Sequence, residues 1–186
     1  MNRFFRIARY SGVFVVLFVA FAVSNDCMAH AANAQTANGQ SQNSRNWKHY
    51  RYDADGFTAE FPTEPQAKEN DSKTGTRYFS QLENGNLAYF VEVALLPANL
   101  NKTSQQIFDD YRQGSAKAVK GQVKAVNDVS LAGNPGREFT IENDTMVLRV
   151  RLYVVQRRLY QILVVGTKDL INSAETERFQ SSFQLL

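Results

Sequence analysis

Apolar and polar residues alternate most regularly in residues 147–166. A tight loop at Gln156 and Arg157 would place Val155 opposite Arg158 and fold this stretch into an antiparallel hairpin. One face of the hairpin is then nearly all apolar and is predicted to be core: Met146, Leu148, Val150, Leu152, Val154, Leu159, Gln161, Leu163 and Val165.

The opposite face of this hairpin carries three arginines and two tyrosines between apolar residues: Arg149, Arg151, Tyr153, Arg158 and Tyr160. In one interpretation the face is partly solvated, so that the arginine stems cover apolar neighbours while their charged heads reach water. In the other, these five residues form a binding site for a partner, since arginine and tyrosine are enriched at interfaces.

The rest of the chain reads as short strands separated by turns. Strands are predicted at residues 47–53, 57–61, 76–82, 87–95, 123–131 and 137–142. Asp55-Gly56, Asn84-Gly85 and residues 133–136 supply the turns between them. Residues 87–95 are apolar on both faces apart from Glu92, which predicts that both faces of the sheet are covered there.

Two helices are predicted to pack against the sheet. Ile107, Phe108, Tyr111, Ser115 and Ala118 recur at helical spacing. The candidate caps and stop of this helix are Asn101, Thr103, Ser104 and Gly121, and Gly114 within it suggests a close approach to the sheet. A second helix is predicted near the end of the chain, capped at Asn172 or Ser173, with Phe179 and Phe183 on one face. The predicted fold class is therefore α+β, a mainly antiparallel sheet of six to eight strands with helices packed against it, in a single domain at residues 47–186.

The N-terminal residues resemble a secretory signal. Three arginines precede about twelve apolar residues, 12–23, a run shorter than the ~20 needed to span a bilayer. We expect a signal peptide at residues 1–34, cleaved after Ala31 or Ala34, and a flexible linker at residues 35–46. An uncleaved anchor and a lipoprotein signal at Cys27 are alternatives, although Asp26 argues against the second. The expected product is exported to the periplasm or outside the cell, with no transmembrane helix in its mature form.

The composition of the chain expected after cleavage restricts the functions that it can have. The whole chain has net charge +3, but cleavage removes three of 21 basic and one of 18 acidic residues, leaving 18 and 17. A net charge near +1 gives no reason to expect nucleic-acid binding. Cys27 is the only cysteine, and His49 is the only histidine after residue 34, so we expect no disulfide, zinc site or cofactor. No catalytic motif is visible.

Four segments together resemble the PsbP-like superfamily, which includes an extrinsic subunit of photosystem II. They read G-F-T-A-E-F-P-T-E-P at residues 56–65, A-G-N-P-G-R-E-F at 132–139, L-Y-Q-I-L-V-V-G at 159–166 and E-R-F-Q-S-S-F-Q-L-L at 177–186. The resemblance implies an antiparallel sheet sandwiched by helices. It also implies an accessory or binding role without catalysis, and it transfers no functional residue, because the matching positions are framework glycines and apolar residues.

These observations together predict a non-enzymatic exported accessory or binding domain that engages a protein partner or a small anionic ligand. Two alternatives stay open. A hydrolase could use carboxylates that are scattered in the sequence, since their separation in space is not visible from it. A peripheral membrane-surface protein could be steered by the hairpin arginines.

Overall fold

The computed structural model describes residues 47–70, 73–81 and 87–186. The predicted signal peptide and linker, and the Asn84-Gly85 turn, lie outside these residues. The division of the chain at residues 1–34, 35–46 and 47–186 therefore stays a prediction.

Seven antiparallel strands form the main sheet, in the spatial order β3-β4-β5-β9-β8-β7-β6. Their bounds are β3 Gln66–Glu69, β4 Gly75–Gln81, β5 Leu87–Leu95, β6 Gln122–Leu131, β7 Asn134–Glu142, β8 Val147–Val155 and β9 Arg158–Gly166. Strand β5 lies inside the sheet, between β4 and β9, and its residues pack into the core on both faces, which explains why it is apolar on both sides. The alternation of side chains across β8 and β9 then defines two faces of this sheet, which we call face one and face two.

Face one is the apolar face of the hairpin, and α1 (Ser104–Ala118) covers it. Thr103 caps this helix in a capping box with Gln106, and Ile107, Phe108 and Tyr111 point into the core. At the other end the left-handed residue is Lys120 (φ 52°), while the Gly121 amide donates to Ala116 O at 2.8 Å. Gly121 was expected to be the stop residue of this helix, but Lys120, one residue earlier, takes that position.

Gly114 was expected to mark a close approach of α1 to the sheet. A Cβ placed on Gly114 would meet no atom within 4 Å, so no close approach requires this glycine. The prediction failed because α1 lies mainly over β6 and β7 and touches the sheet through its larger side chains.

Face two is covered by a second, three-stranded sheet of order β1-β2-β10 and by helix α2. The bounds of these elements are β1 Lys48–Tyr52, β2 Phe57–Phe61, α2 Ala174–Ser182 and β10 Gln184–Leu185. Phe57, Phe61, Phe179 and Phe183 fill the layer between the two sheets. The α+β antiparallel architecture is thus confirmed, and the small sheet adds a layer that the sequence did not indicate.

The turn between β6 and β7 begins one residue earlier than predicted and has two residues instead of four. Ala132 (φ 48°) and Gly133 (φ 78°) make the turn, and β7 already begins at Asn134. Gly136 therefore lies within a strand, where a Cβ would come 2.4 Å from the Tyr153 ring. The clustered glycines and proline of this segment favoured a longer turn, although Gly136 serves close packing.

Candidate functional site

The pairing of β8 with β9 agrees with the predicted hairpin residue for residue. Tyr153 lies opposite Tyr160, Arg151 opposite Ile162, and Val155 opposite Arg158. All five candidate residues consequently project from face two. Arg158, however, pairs with Val155, which lies four residues from Arg151 along β8. At the usual rise per residue this separation is roughly 13 Å. The structure thus brings Arg149 and Arg151 together and places Arg158 at the far end of the hairpin.

The two tyrosines lie in the core between the sheets. Tyr153 and Tyr160 are both buried, and the Tyr153 ring is parallel to that of Phe183. The Tyr160 hydroxyl donates to Asp55 O at 2.9 Å, and burial raises the pKa of Tyr153. Their large apolar surfaces hold the small sheet against the main sheet.

Arg158 supports the turn between β1 and β2. Its Nη2 donates to Ala54 O at 3.0 Å, two residues before Gly56, whose positive φ of 72° forms the turn. A Cβ on Gly56 would lie 2.8 Å from Arg158 Nη1. The neighbouring Arg157 likewise donates to a main-chain carbonyl, that of Leu96, at 3.0 Å. These two guanidinium groups therefore make main-chain contacts.

Arg149 and Arg151 contact two glutamates, which come from different elements. Glu138 lies opposite Arg151 on β7, and its Oε2 is 2.5 Å from Arg151 Nε and 3.4 Å from Arg149 Nη2. Glu177 reaches down from α2, with Oε2 2.8 Å from Arg149 Nη2 and Oε1 3.1 Å from Arg151 Nη2. We call these four residues the arginine–glutamate cluster.

The cluster is enclosed on the sheet side and open on the helix side. The side chains of Arg149, Arg151 and Glu138 are only 18%, 15% and 15% exposed, whereas that of Glu177 is 51% exposed. Face two keeps the predicted solvent contact at this edge and at the turn end of the hairpin, where Val155 and Arg158 are half-buried. Under the small sheet, where Tyr153 and Tyr160 are buried, the expectation of a partly solvated face is wrong. That error arose because β1, β2 and β10 form a layer of their own.

Charge pairing sets the protonation of the cluster. Burial opposes the charged form of Arg151, but hydrogen bonds with Glu138 and Glu177 outweigh it and raise the pKa of the guanidinium. Burial would also raise the pKa of Glu177, but its bonds with Arg151, Ser181 and Arg149 lower it. Both groups are therefore charged near neutral pH.

Sequence reasoning missed Glu138, Glu177 and Gln180 as parts of this site. Glu138 could have been found, because alternation with the apolar Phe139 in the predicted strand 137–142 places it on the opposite face, and β7 pairs with β8. Glu177 is 28 residues from Arg149, and no local pattern links them. Gln180, buried beside them, donates from Nε2 to Arg149 O at 3.3 Å and fixes α2 over β8.

Three further observations concern the residues that the structure describes. His49 lies exposed on β1, opposite Glu60. Within ranges 47–70, 73–81 and 87–186, no group of three or more His, Cys, Asp or Glu side chains is arranged to hold a metal ion. In those same ranges, no helix is long and apolar enough to cross a membrane.

Comparison with known proteins gives a structural likeness. No protein-family pattern and no curated protein matches the sequence. Among solved structures, the solution structure of PsbP from the cyanobacterium Synechocystis aligns with 82% of this chain and 98% of its own, at TM-score 0.59 and 10% identity. A Pseudomonas aeruginosa protein of unknown function aligns with 70% of this chain and 90% of its own, at TM-score 0.42 and 10% identity. The first alignment covers most of both chains at this TM-score, and the chain therefore has the PsbP-like fold.

Proposed function

We propose that this chain is an exported accessory domain that binds an anionic group of a protein partner or of a small ligand without performing chemistry. The observation that carries the proposal is the geometry of Glu177 in the arginine–glutamate cluster. The Glu177 side chain is half-exposed, and its carboxylate contacts two guanidinium groups, one oxygen to each, at 2.8 and 3.1 Å. Paired guanidinium groups at this spacing are suited to recognising carboxylates.

The binding role of Arg149, Arg151, Tyr153, Arg158 and Tyr160 stays a prediction, and the geometry favours its first two members. Tyr153 and Tyr160 are buried, so they would support such a surface from beneath rather than touch a partner. Arg149 and Arg151 lie at the edge where α2 meets the sheet, next to exposed residues of β6 such as Asn127.

The hydrolase alternative has less support from the same geometry. Glu138 and Glu177 are the carboxylates that the fold brings together here, and both contact arginines. A general acid needs a raised pKa to hold its proton near neutral pH, whereas the pKa of Glu177 is lowered. We therefore favour a binding site over a catalytic carboxylate pair.

Site-specific crosslinking in the source cell envelope tests the proposal. A photoreactive amino acid at Asn127 lies beside the cluster, and one at Gln113, on the exposed side of α1, serves as a control. We expect a crosslinked partner from position 127 that is absent from position 113 and is lost when Arg149, Arg151 and Arg158 are all changed to Gln.

Two parallel measurements cover a small ligand and a membrane. In thermal-shift measurements with a library of anionic metabolites, a bound metabolite should raise the melting temperature of the wild-type domain and not that of the triple arginine variant. Salt-sensitive co-sedimentation with anionic liposomes, without any crosslink or thermal shift, would favour the membrane-surface alternative. Equal affinities of wild type and triple variant for every partner and ligand would contradict the proposal.

A further inference from the structure

Glu177 occupies the arginine pair from the solvent side. Its side chain is 51% exposed and lies on the one open side of the cluster. It belongs to α2, whose N-cap is Ser173, so the helix has anchors that do not depend on this carboxylate. Ser181 also donates to Glu177 Oε1, at 3.0 Å, one turn later on the same helix. The side chain can therefore leave the arginines without unfolding the helix.

The arginines, in contrast, are held in place by two largely buried residues, Glu138 on β7 and Gln180 on α2. Glu138 contacts both of them and is itself only 15% exposed. Gln180, 4% exposed, bonds to the main chain of Arg149. Its Oε1 is buried and makes no hydrogen bond in the described part of the chain. Glu138 thus fixes the two guanidinium groups and Gln180 fixes the backbone of Arg149, so the pair forms a prearranged fork for an anion.

The net charge around the two guanidinium groups indicates which kind of ligand would bind there if Glu177 were displaced. Arg149, Arg151 and Glu138 together carry a net charge of +1, which matches a single carboxylate. The present occupant is itself a side-chain carboxylate, and it stands in for the carboxylate of an acidic side chain or of a small organic acid.

We propose that the Arg149–Arg151 pair is a carboxylate-binding site that Glu177 occupies from within the chain, and that an external carboxylate binds by displacing it. This inference rests on the proposed function, because it assumes that the domain is a binding module. Glu177 then acts as an autoinhibitory group that lowers affinity without blocking access. Since exposed ion pairs are individually weak, removing its charge should raise affinity about three- to tenfold.

The test compares binding by calorimetry at low salt for glutarate, a short acetylated peptide containing two glutamates, and inorganic phosphate. The proteins are residues 35–186 as wild type, Glu177→Gln, and Glu177→Gln combined with Arg149→Gln and Arg151→Gln. Glu60→Gln is the matched control, since Glu60 also pairs with an arginine, Arg178, at 2.6 Å but lies outside the cluster. Thermal melting verifies that each variant is folded.

We expect Glu177→Gln to bind carboxylates about three- to tenfold more tightly than wild type, Glu60→Gln to match wild type, and the combined variant to lose binding. Binding of both carboxylate probes indicates recognition of the group itself, and binding of the peptide alone indicates a protein source. Equal affinity of wild type and Glu177→Gln, with loss in the combined variant, would overturn the autoinhibition and leave the proposed function standing. Binding of phosphate alone would overturn the carboxylate assignment. Absence of binding by every protein would overturn the carboxylate site, whereas crosslinking at position 127 would still decide the proposed function.

Discussion

Replacing Phe183 with alanine should remove much of the stability that joins the small sheet to the main sheet. Phe183 is 3% exposed and directly follows α2. Its ring stacks on Phe57 with centroids 5.3 Å apart, lies parallel to Tyr153 at 6.5 Å, and meets Tyr160 at 5.6 Å. A single side chain thus contacts the small sheet and both strands of the central hairpin.

The expected loss follows from what the substitution removes. Truncating a buried phenylalanine to alanine costs about 3–5 kcal/mol, including the cavity that remains. We expect about 4 kcal/mol for Phe183→Ala, a large part of the ~5–15 kcal/mol that stabilises a typical domain. Phe183→Leu keeps much of the apolar surface but loses the ring pairs, each worth about 0.5–1.5 kcal/mol, so we expect a loss of about 2 kcal/mol.

Urea unfolding measures these losses. Trp47 is the only tryptophan in the chain, and it packs edge-on against Tyr89 at 5.5 Å, so its fluorescence reports on the packing over face two. Leu95→Ala is the control, because Leu95 is 51% exposed and should change the free energy of unfolding by less than about 0.5 kcal/mol. A Phe183→Ala loss below about 1 kcal/mol would refute the conclusion that face two is closed by the small sheet.

Four further outcomes are expected. Gly136→Ala should destabilise the domain by at least about 2 kcal/mol in thermal melts, because the new Cβ would lie 2.4 Å from the Tyr153 ring; a neutral effect would contradict that packing. Gly114→Ala should stabilise it by up to about 1 kcal/mol, because space is open there, and a lower melting temperature would contradict this. Thr103→Ala should cost about 1 kcal/mol through loss of the capping box, as urea titration would measure; unchanged stability would argue against the cap. The pKa of Glu177 is lowered in the folded state, so its contribution to the stability of the fold is present above its unfolded pKa of about 4.3 and is lost as pH falls through the folded value. Glu177→Gln should therefore flatten the fall in stability below about pH 4.5. An unchanged acid profile of stability would contradict the pairing of Glu177 with the arginines.

The central hairpin was predictable because a two-residue side-chain period determines faces and register together. The position of Tyr153 opposite Tyr160 follows from alternation and one tight turn. The helix at Ile107 and Phe108 was predictable for the same kind of reason, from its 3.6-residue period.

The second layer was not predictable in this way. Residues 57–61 were recognised as a strand, but nothing local indicates that they leave the main sheet and pair with β1 and β10. Strand β10 of this layer has only two residues, too few for a hydrophobic pattern. Strand β3 of the main sheet was missed for a related reason, because it is exposed along its whole length. Because the layer was missed, the tyrosines of face two were expected nearer to solvent than they are.

The arginine–glutamate cluster was half predictable. Arg149 and Arg151 were found from their alternation with core residues, whereas Glu177 comes from a helix 28 residues away from Arg149. Contacts between distant elements depend on tertiary packing, which leaves no periodic mark in a single sequence.

The most direct test of the account is an NMR titration of the arginine Nε–H signals in Glu177→Gln with glutarate. The account predicts that the signals of Arg149 and Arg151 shift together and saturate, while those of Arg157 and Arg158, bound to main-chain carbonyls, stay in place. Signals of Arg149 and Arg151 that remain unchanged, or shifts confined to Arg157 and Arg158, would contradict the assignment of the carboxylate fork.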